Sequence, residues 1–525
     1  MSINATKLAR QTIRELLELG ICDFVISPGS RNAPLTIAVH EAAQAGLADL
    51  HTRLDERGAA FYALGVAKAT KQYAVVICTS GTAVANYHPA ALEAYHSDIN
   101  LLFLTADRPA HLRNTGANQT TLQDGILTPL ETFDSASPLD LSDILTGGPV
   151  HINLQFDEPL LSDDSSDWLA GLSLAPVDEE LSEKQSLDVR AAGVLVVGHD
   201  RAGFSAAQIE EFADILDWPV ISEDPLSFSS THAHASLFLA DEEIRRALRA
   251  DEIIVIGRTT LSRSINAFIS DADRLIVIDP RTEYVDTDRS ADLVLTHIPH
   301  ITKHASPDEW NTVWDKASSS AEALFTKSMP WSEQAALRMI TANLPDGSAL
   351  FIGSSRPIRD IEACATPRTG LAVFANRGLA GIDGNISTAF GMATRFERSY
   401  AIVGDLTFLH DLSALVNHIN ENLTIFIIDN NGGGIFSTLP QAGVAGFEDI
   451  FGTPHNLDIA QVISGFGVDV QRVKSESDLQ QIIAAQAEGL HCVVVEVPSR
   501  EENAAQLKSL YQRVASAVRI GINLA

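Results

Sequence analysis

The sequence predicts an α/β protein built from three doubly wound parallel-sheet domains. Short apolar strands alternate with helical patterns in three successive blocks, which is the pattern of parallel α/β folds. The chain has 525 residues, too many for one hydrophobic core. We place the domains at residues 1–180, 181–325 and 326–525.

The strands of each block are short runs of mainly apolar residues that end at Gly, Ser, Thr or Asp. The first block has four clear ones, Cys22–Ser27, Tyr73–Thr79, Asn100–Thr105 and Pro149–Leu154. Later blocks add Gly193–Gly198, Glu252–Gly257, Arg274–Asp279, Tyr400–Asp405 and Thr424–Asp429. The acidic, serine-rich stretch Asp157–Asp188 is typical of an interdomain linker. A second connecting region covers His300–Ser332.

The first and last blocks resemble each other at a nearly constant offset. Pro28-Gly29-Ser30-Arg31 is similar to Gly353-Ser354-Ser355-Arg356, and Arg57-Gly58 is repeated as Arg377-Gly378. Chance similarity of short apolar strands is the alternative explanation. We interpret the repeat as a duplicated α/β domain with a third domain inserted between the copies.

Composition excludes several classes of function. There are 68 acidic and 37 basic residues, for a net charge of −31, which disfavours nucleic acid and anionic membrane surfaces as partners. No apolar run approaches the length of a membrane span, and the N-terminus has no signal-peptide pattern. The four cysteines form no CxxC pair and are typical of buried thiols in a reducing compartment. We therefore expect a cytoplasmic protein without membrane insertion.

Two polar residues end neighbouring strands of the last block. Asp405 closes one strand, Asn430 follows the next, and a helix-length segment separates them. A strand-helix-strand unit brings such residues to the same edge of a parallel sheet, where ligands bind. Oxygen ligands of this kind suit Mg²⁺, which itself holds phosphate oxygens. The alternatives are a helix N-cap at Asp405 and a simple turn at Asn430-Asn431-Gly432.

Gly404-Asp405 followed by Asn430-Asn431 resembles the GDG…NN motif of enzymes that use thiamine diphosphate (ThDP). The third motif position is Leu406 instead of glycine. By this resemblance, Asp405, Asn430 and the carbonyl of Gly432 ligate Mg²⁺ or Mn²⁺. The resemblance also implies a pyrimidine-binding domain, a middle domain and a diphosphate-binding domain. The first and third of these share one ThDP-binding fold, in agreement with the internal repeat.

A catalytic carboxyl group is the next requirement of a ThDP enzyme. Hydrogen-bonded to N1′ of the pyrimidine, it promotes the imino tautomer that removes the C2 proton. Glu56 in Leu54-Asp55-Glu56-Arg57-Gly58 follows a predicted strand of the pyrimidine domain. The alternative is an acidic residue that stabilises the first turn of a helix. Beside the metal motif, Glu56 is the best candidate for both catalysis and cofactor binding.

Longer stretches resemble one family, the 2-succinyl-5-enolpyruvyl-6-hydroxy-3-cyclohexene-1-carboxylate (SEPHCHC) synthases of menaquinone biosynthesis, or MenD family. The matching stretches lie outside the middle domain, linkers and C-terminal tail, and they are Ser27–Leu35, Asp55–Gly58, Thr79–Asn86, Gly116–Thr120, Ala375–Gly378, Gly381–Gly384 and Asn430–Phe436. Leu406 is what this family has at that position of the motif. The resemblance implies a transferase that decarboxylates 2-oxoglutarate and adds the succinic-semialdehyde carbanion to isochorismate in a 1,4 manner.

Both implied substrates are dicarboxylates, which planar arginine side chains bind bidentately. The resemblance implies a set of substrate-binding residues, namely Ser30, Arg31, Asn118, Gln119, Arg263, Ser355, Arg359 and Arg377. Arg356 lies one helical turn from Arg359 and could replace it. Arg263 is followed by Ser264, where some family members have two adjacent basic residues. For each arginine, a surface ion pair is the alternative.

The same resemblance implies a further set of cofactor contacts. Ile382 would hold ThDP in its bent form, and an apolar wall would lie around it. The implied residues are Ile382, Gly404, Leu406, Asn431, Ile435, Phe436 and Leu439. Active sites of the family lie between subunits, so a homodimer or homotetramer is expected.

Other classes of protein stay open at this point. A carboligase similar to acetohydroxyacid synthase is the closest alternative, but the middle block lacks a convincing GxGxxG for a flavin. A simple 2-oxoacid decarboxylase often has an adjacent His-His pair, which this chain lacks. A non-catalytic relative is disfavoured by the joint presence of Glu56, Asp405 and Asn430.

Overall fold

The computed structural model describes residues 4–174, 185–281, 285–301, 307–326, 329–416, 422–485 and 488–524. The chain forms two compact units. The first contains residues 1–180, 378–399 and 407–423, and the second contains residues 181–377, 400–406 and 424–525. In the described part of the chain, no helix is both long and apolar enough to cross a membrane.

The strands are short and mostly buried. In chain order they are β1 Asp23–Ile26, β2 Asp49–Thr52, β3 Ala74–Cys78, β4 Leu101–Asp107, β5 Thr132–Ser135, β6 Val150–Gln155, β7 Ser186–Leu187, β8 Gly193–Val197, β9 Val220–Ser222, β10 Glu252–Ile256, β11 Arg274–Ile278, β12 Leu293–Leu295, β13 His300–Ile301, β14 Ala349–Ile352, β15 Ala372–Phe374, β16 Ser399–Gly404, β17 Leu423–Asp429, β18 Asp469–Val473 and β19 Leu490–Glu496.

The helices alternate with these strands. They are α1 Ala5–Glu18, α2 Ala33–Gln44, α3 Glu56–Thr70, α4 Thr82–Asn86, α5 His88–Ser97, α6 Leu141–Ile144, α7 Ala206–Leu216, α8 Ala235–Phe238, α9 Glu242–Ala247, α10 Arg263–Ser270, α11 Asp308–Glu322, α12 Glu333–Asn343, α13 Arg356–Cys364, α14 Asn385–Ala393, α15 Asp405–His410, α16 Ile459–Ser464, α17 Glu476–Ala485 and α18 Arg500–Gly521.

Three large sheets organise these elements. The first has the order β2-β1-β3-β4-β6-β5, the middle one β12-β11-β10-β8-β9, and the third β15-β14-β16-β17-β19-β18. Neighbouring strands of the first and middle sheets are parallel. The first and third sheets use the same permutation of six strands. This confirms the predicted α/β class and the predicted relationship between the first and last blocks.

The strands are apolar because helices cover both faces of each sheet, as parallel sheets require. All residues of β3 and β4 are buried. Helix α1 begins at an Asn4 cap that accepts the N–H of Lys7 at 2.7 Å, and its apolar face joins the core of the first sheet. Three of the four cysteines are buried free thiols, but Cys22 is exposed, so the expectation of burial is wrong for that residue.

Helices α3 and α14 of the first unit pack at very close range. A Cβ atom added at Gly65 would lie 2.1 Å from the Thr388 carbonyl oxygen, and one at Gly391 would lie 1.9 Å from that of Tyr62. Only glycine permits this approach of two backbones. The crossing fixes α3, whose first residue is Glu56.

The region predicted to connect the second and third domains differs from expectation. Residues Asp308–Glu322 form a four-turn helix, α11. Trp314, Ala317 and Ala321 are buried at helical spacing, and Trp314 is packed against aromatic residues of the middle region. The segment is therefore part of a core, whereas the described residues of the other predicted linker, Asp157–Asp188, contain no helix.

Candidate active site

Asp405 links two strand ends of the third sheet. It follows β16 and is only 2% exposed. One carboxylate oxygen, Oδ1, accepts the N–H of Leu406 at 2.6 Å, and Oδ2 accepts the N–H of Gly432 at 2.8 Å. Asp405 therefore acts in part as the helix cap considered above and also holds the loop after β17. The predicted pairing of Asp405 with Gly432 is present in the structure.

Asn430 presents an unusual buried oxygen. Its Nδ2 donates to Oε1 of Glu333 at 2.5 Å, but its Oδ1 is buried and has no hydrogen-bond partner. A buried acceptor without a donor is costly. A hard cation would satisfy it, and the neighbouring Asp405 carboxylate supplies the negative charge that such a cation requires. The donor set thus fits Mg²⁺ or Mn²⁺.

The glycines after Asn430 are needed for backbone geometry. Gly432 has φ of 137°, and an added Cβ would lie 2.2 Å from the carbonyl oxygen of Gly452. The N–H of Gly433 donates to that same oxygen at 2.8 Å. Asn431, with φ of 60°, confirms the turn predicted here, and its amide exchanges hydrogen bonds with Asn456.

Two residues near Asp405 were not predicted as site residues. Asp405, Asp429 and His455 offer ligand atoms that all lie within 4.8 Å of one another. Nε2 of His455 lies 3.3 Å from Oδ2 of Asp405, and this hydrogen bond raises the pKa of His455. Burial raises the pKa of Asp429. Asp429 directly precedes the Asn430 motif and could have been found, but no local pattern marks His455.

The predicted apolar wall lies directly after this loop. Residues Gly434–Thr438 form a 3₁₀ turn, and the Phe436 ring lies 5.5 Å from the ring of Phe451. Ile435, Phe436 and Leu439 are half-buried, so each keeps an apolar surface that a ligand can cover. Gly404 and Leu406 flank Asp405 at the end of β16.

Arg359 and Ser355 lie at the start of α13 in the second unit. Ser355 has φ of 76°, a strained conformation for a residue other than glycine, and its carbonyl oxygen accepts from Arg359 at 2.9 Å. Burial and the Arg356 charge lower the pKa of Arg359. Arg356 itself is paired with the buried Asp360. Arg356 is therefore engaged in the core, and Arg359 is the better candidate for binding an anion.

Arg377 contacts the segment that contains Arg263. It is 4% exposed, and its guanidinium donates to Oγ1 of Thr260 at 3.0 Å and to the Thr260 carbonyl at 3.2 Å. The N–H of Thr260 is in turn held by Glu223 at 2.8 Å. Arg263 is exposed at the first position of α10. The structure thus brings Arg377 to the segment Thr260–Ser264.

In the first unit, both sequence neighbours of Glu56 are fixed. Asp55 caps α3 by accepting the N–H of Arg57 and also accepts Oγ of Ser413 at 2.6 Å. Arg57 donates to the carbonyl of His410 at 2.7 Å. The Glu56 carboxylate is half-buried and makes no hydrogen bond to other described residues. It is therefore held in place by its neighbours and available to a ligand.

A second group of polar residues includes one that was missed. Arg108 donates to Oγ of Ser80 at 2.9 Å and to the Gln119 carbonyl at 2.6 Å. Burial and the nearby Arg31 charge lower the pKa of Arg108. Two guanidinium groups that repel each other in an acidic protein favour an anion between them. Ser30 and Asn118 are exposed beside Arg31 and Gln119. Arg108 follows β4, and its strand-end position was the available signal.

The loop that carries Ile382 is held by a buried carboxylate. Glu93 in α5 accepts the N–H groups of Gly378, Leu379 and Ala380 at 2.7, 2.8 and 3.3 Å. Glu93 is 3% exposed, and nothing in its local sequence predicts the contact. The loop conformation before the half-buried Ile382 therefore depends on a distant helix.

Replacing Glu93 by glutamine should weaken this loop. The glutamine NH₂ group would face backbone N–H donors, and each buried N–H left unpaired costs about 1–3 kcal/mol. We expect a loss of about 2–4 kcal/mol in unfolding free energy, measured by chemical denaturation. Ser97→Ala removes only a 3.3 Å hydrogen bond to the same carboxylate and should cost far less. Equal stability of both variants would contradict the role of Glu93.

Family comparisons agree with this geometry. Residues 6–126 match the family described as thiamine pyrophosphate enzyme, N-terminal TPP binding domain, where thiamine pyrophosphate is another name for ThDP. Residues 163–352 match the middle domain of thiamine pyrophosphate enzymes. Residues 361–497 match the C-terminal TPP binding domain.

Solved structures show the same fold. Benzoylformate decarboxylase from Polynucleobacter necessarius matches with a TM-score of 0.67 and 15% identity, covering 95% of this chain and 99% of that one. A putative thiamin diphosphate-dependent enzyme from Mycobacterium smegmatis matches with a TM-score of 0.68 and 16% identity, covering 95% and 100%. At these identities the likeness concerns the fold alone.

Curated relatives are more similar in sequence. SEPHCHC synthase of a Nocardioides species is 38% identical, over 95% of this chain and 96% of the relative. Those of Saccharopolyspora erythraea and Thermobifida fusca are 34% and 35% identical, over 98% of this chain and 99% and 100% of the relatives. The resemblance predicted from the strand-end motifs is confirmed, and the chain belongs to the SEPHCHC synthase family of ThDP enzymes.

Proposed function

We propose that the protein decarboxylates 2-oxoglutarate and transfers the remaining four-carbon unit to isochorismate by 1,4-addition. The products are SEPHCHC and CO₂, in a step of menaquinone biosynthesis. The observation that carries the proposal is the buried, unpaired Oδ1 of Asn430 beside the Asp405–Gly432 hydrogen bond. That arrangement fits a divalent cation and the diphosphate it holds.

Asp405, Asn430 and the Gly432 carbonyl would hold Mg²⁺ or Mn²⁺, and the cation would hold the ThDP diphosphate. Gly404, Leu406, Asn431, Ile435, Phe436 and Leu439 would line the cofactor. When bound, ThDP supplies a nucleophilic carbon that can carry the negative charge left on the 2-oxo acid when CO₂ departs. Ile382, on the loop held by Glu93, would support the bent form of the cofactor.

Glu56 would hold a proton at N1′ of the pyrimidine. A carboxyl group at a helix start is rigid when its neighbours are fixed, and Asp55 and Arg57 are both bonded. Rigid placement matters because proton transfer requires hydrogen-bond distance between the two atoms. The catalytic role of Glu56 is supported by this availability and rigidity.

Two arginine groups would bind the carboxylates of the two substrates. The first contains Arg31 and Arg108 with Ser30, Asn118 and Gln119, and the second contains Arg359 and Arg377 with Ser355 and Arg263. Both groups lie at strand ends, where α/β sheets bind ligands. Guanidinium groups match carboxylates in shape and charge, and each group contains a pKa-lowered arginine, Arg108 or Arg359.

Arg108→Gln should therefore raise KM for one of the two substrates. A charge-assisted hydrogen bond contributes about 1.5–3 kcal/mol, so KM should rise about 10- to 100-fold. Separate KM measurements for 2-oxoglutarate and isochorismate identify which substrate this arginine contacts. Arg14→Gln, which removes a helix-surface pair with Glu18, is the matched control. Unchanged KM values for both substrates would remove Arg108 from the site.

The active enzyme would be a homodimer or homotetramer with active sites between subunits. Leu54 is 65% exposed two residues before Glu56, and Leu379 is 54% exposed two residues after Arg377. Exposed apolar residues beside proposed site residues support a contact with a second copy. We assign residues 1–180, 181–325 and 326–525 to the pyrimidine, middle and diphosphate domains. The buried free thiols support a cytoplasmic location.

The direct test is incubation with ThDP, Mg²⁺, 2-oxoglutarate and isochorismate, with loss of isochorismate and release of CO₂ followed together. We expect equal amounts of the two, and no isochorismate loss without 2-oxoglutarate. CO₂ release from pyruvate with no loss of isochorismate would instead indicate a carboligase of the acetohydroxyacid synthase type.

A further inference from the structure

A buried carboxylate lies directly behind Asn430. Glu333, the first residue of α12, is 3% exposed. Its Oε1 accepts Nδ2 of Asn430 at 2.5 Å, across 97 residues of sequence. Its own N–H donates to Oδ1 of Asn503 in α18 at 3.0 Å. The carboxylate is thus fixed from a helix that contributes no proposed cofactor ligand.

The orientation of the Asn430 amide has a chemical consequence. An asparagine amide has two ends of nearly equal size, but only the oxygen can ligate a cation. A half-turn of the amide would present its NH₂ group instead. A carboxylate can only accept hydrogen bonds, so Glu333 requires the NH₂ end on its own side. The oxygen must then point away, and it is this oxygen that lies buried without a partner.

The surroundings favour the same arrangement. Nε of Arg356 lies 4.0 Å from Oε2 of Glu333 and favours the charged carboxylate. An added Cβ at Gly434 would lie 2.5 Å from Nδ2 of Asn430, so the glycine leaves space for the amide beside Glu333. Charge and shape therefore both support this hydrogen bond.

We propose that Glu333 is a positioning residue that turns the Asn430 oxygen toward the divalent cation. The inference rests on the proposed metal site and adds a residue to it. Partners that orient metal ligands typically contribute 10- to 100-fold in metal affinity. The expected effect of losing Glu333 is therefore weaker metal binding, which would be partly restored by excess metal.

The test measures Mn²⁺ affinity from the electron paramagnetic resonance signal of free Mn²⁺, in the presence of ThDP. Glu333→Ala should weaken binding about 10- to 100-fold. Glu333→Gln should weaken it less, because glutamine can still offer an oxygen to Nδ2 but can also present NH₂. Glu362→Gln is the matched control, since Glu362 is buried in α13 and interacts with Glu223 and Arg359. It should keep wild-type affinity.

The outcomes separate the inference from the proposed site. Loss of Mn²⁺ affinity in Asn430→Ala, together with wild-type affinity in both Glu333 variants, would overturn the role of Glu333 and keep the site. Wild-type affinity in Asn430→Ala would overturn the metal site itself. An equal loss in Glu362→Gln would assign the effect to buried acids in general and overturn the inference. If Glu333→Ala does not fold, Glu333→Gln decides, and wild-type affinity in that variant refutes the proposal.

Discussion

Glu56→Gln is expected to lower kcat by about 10²- to 10⁴-fold, the usual contribution of a positioned acid or base. ThDP should remain bound, because glutamine has the same shape and because Asp55 and Arg57 hold the start of α3 without help from Glu56. Steady-state kinetics at saturating substrate, with ThDP affinity from calorimetry, measure the two effects separately.

A matched variant controls for the loss of a charge. Glu41→Gln removes a carboxylate that pairs with Arg10 at 3.0 Å elsewhere in the first unit, and such partly exposed pairs contribute little. It should retain wild-type kcat. Turnover of Glu56→Gln within a few-fold of wild type would exclude Glu56 as the catalytic acid.

Asp405→Ala is expected to abolish Mg²⁺-dependent ThDP binding. The change removes a proposed cation ligand and leaves the N–H groups of Leu406 and Gly432 without their acceptor. We expect ThDP affinity to fall at least about 100-fold, since each lost charged contact costs about 1.5–3 kcal/mol. ThDP titrations at fixed Mg²⁺, followed by tryptophan fluorescence, measure this loss.

Asp405→Asn distinguishes the two roles of this side chain. Its oxygen can still accept the N–H of Gly432, so the loop should keep its shape while the cation loses a negative ligand. We expect weak ThDP binding that improves as Mg²⁺ is raised. Asp458→Asn, at the cap of α16, should bind ThDP as wild type does. Wild-type ThDP affinity in Asp405→Ala would remove Asp405 from the metal site.

Local pattern was sufficient for much of the fold and part of the site. Strands of a parallel sheet are buried on both faces and are therefore continuous apolar runs, which is why β3, β4 and β16 were predicted within one or two residues. Ligands collect at the carboxyl edge of such sheets. The pairing of Asp405 with the loop after β17 could be predicted for this reason.

The supporting contacts could not be predicted in the same way. Glu333 reaches Asn430 across 97 residues, and Glu93 reaches Gly378 across 285. Periodicity reports which face of an element is apolar, but it contains no information on which distant backbone a buried carboxylate meets. Helix α11 is different, because the helical spacing of Trp314, Ala317 and Ala321 was visible in the sequence and was not used.

The shared strand order of the first and third sheets has an evolutionary consequence. Glu56 follows the second strand of one sheet, and Arg377 follows the second strand of the other, so equivalent addresses carry opposite charges. Two sister copies of one ancestral scaffold have thus specialised at their tips and stayed alike within their strands. Mutations at the tips should chiefly change chemistry, and mutations inside the strands should chiefly change solubility and yield.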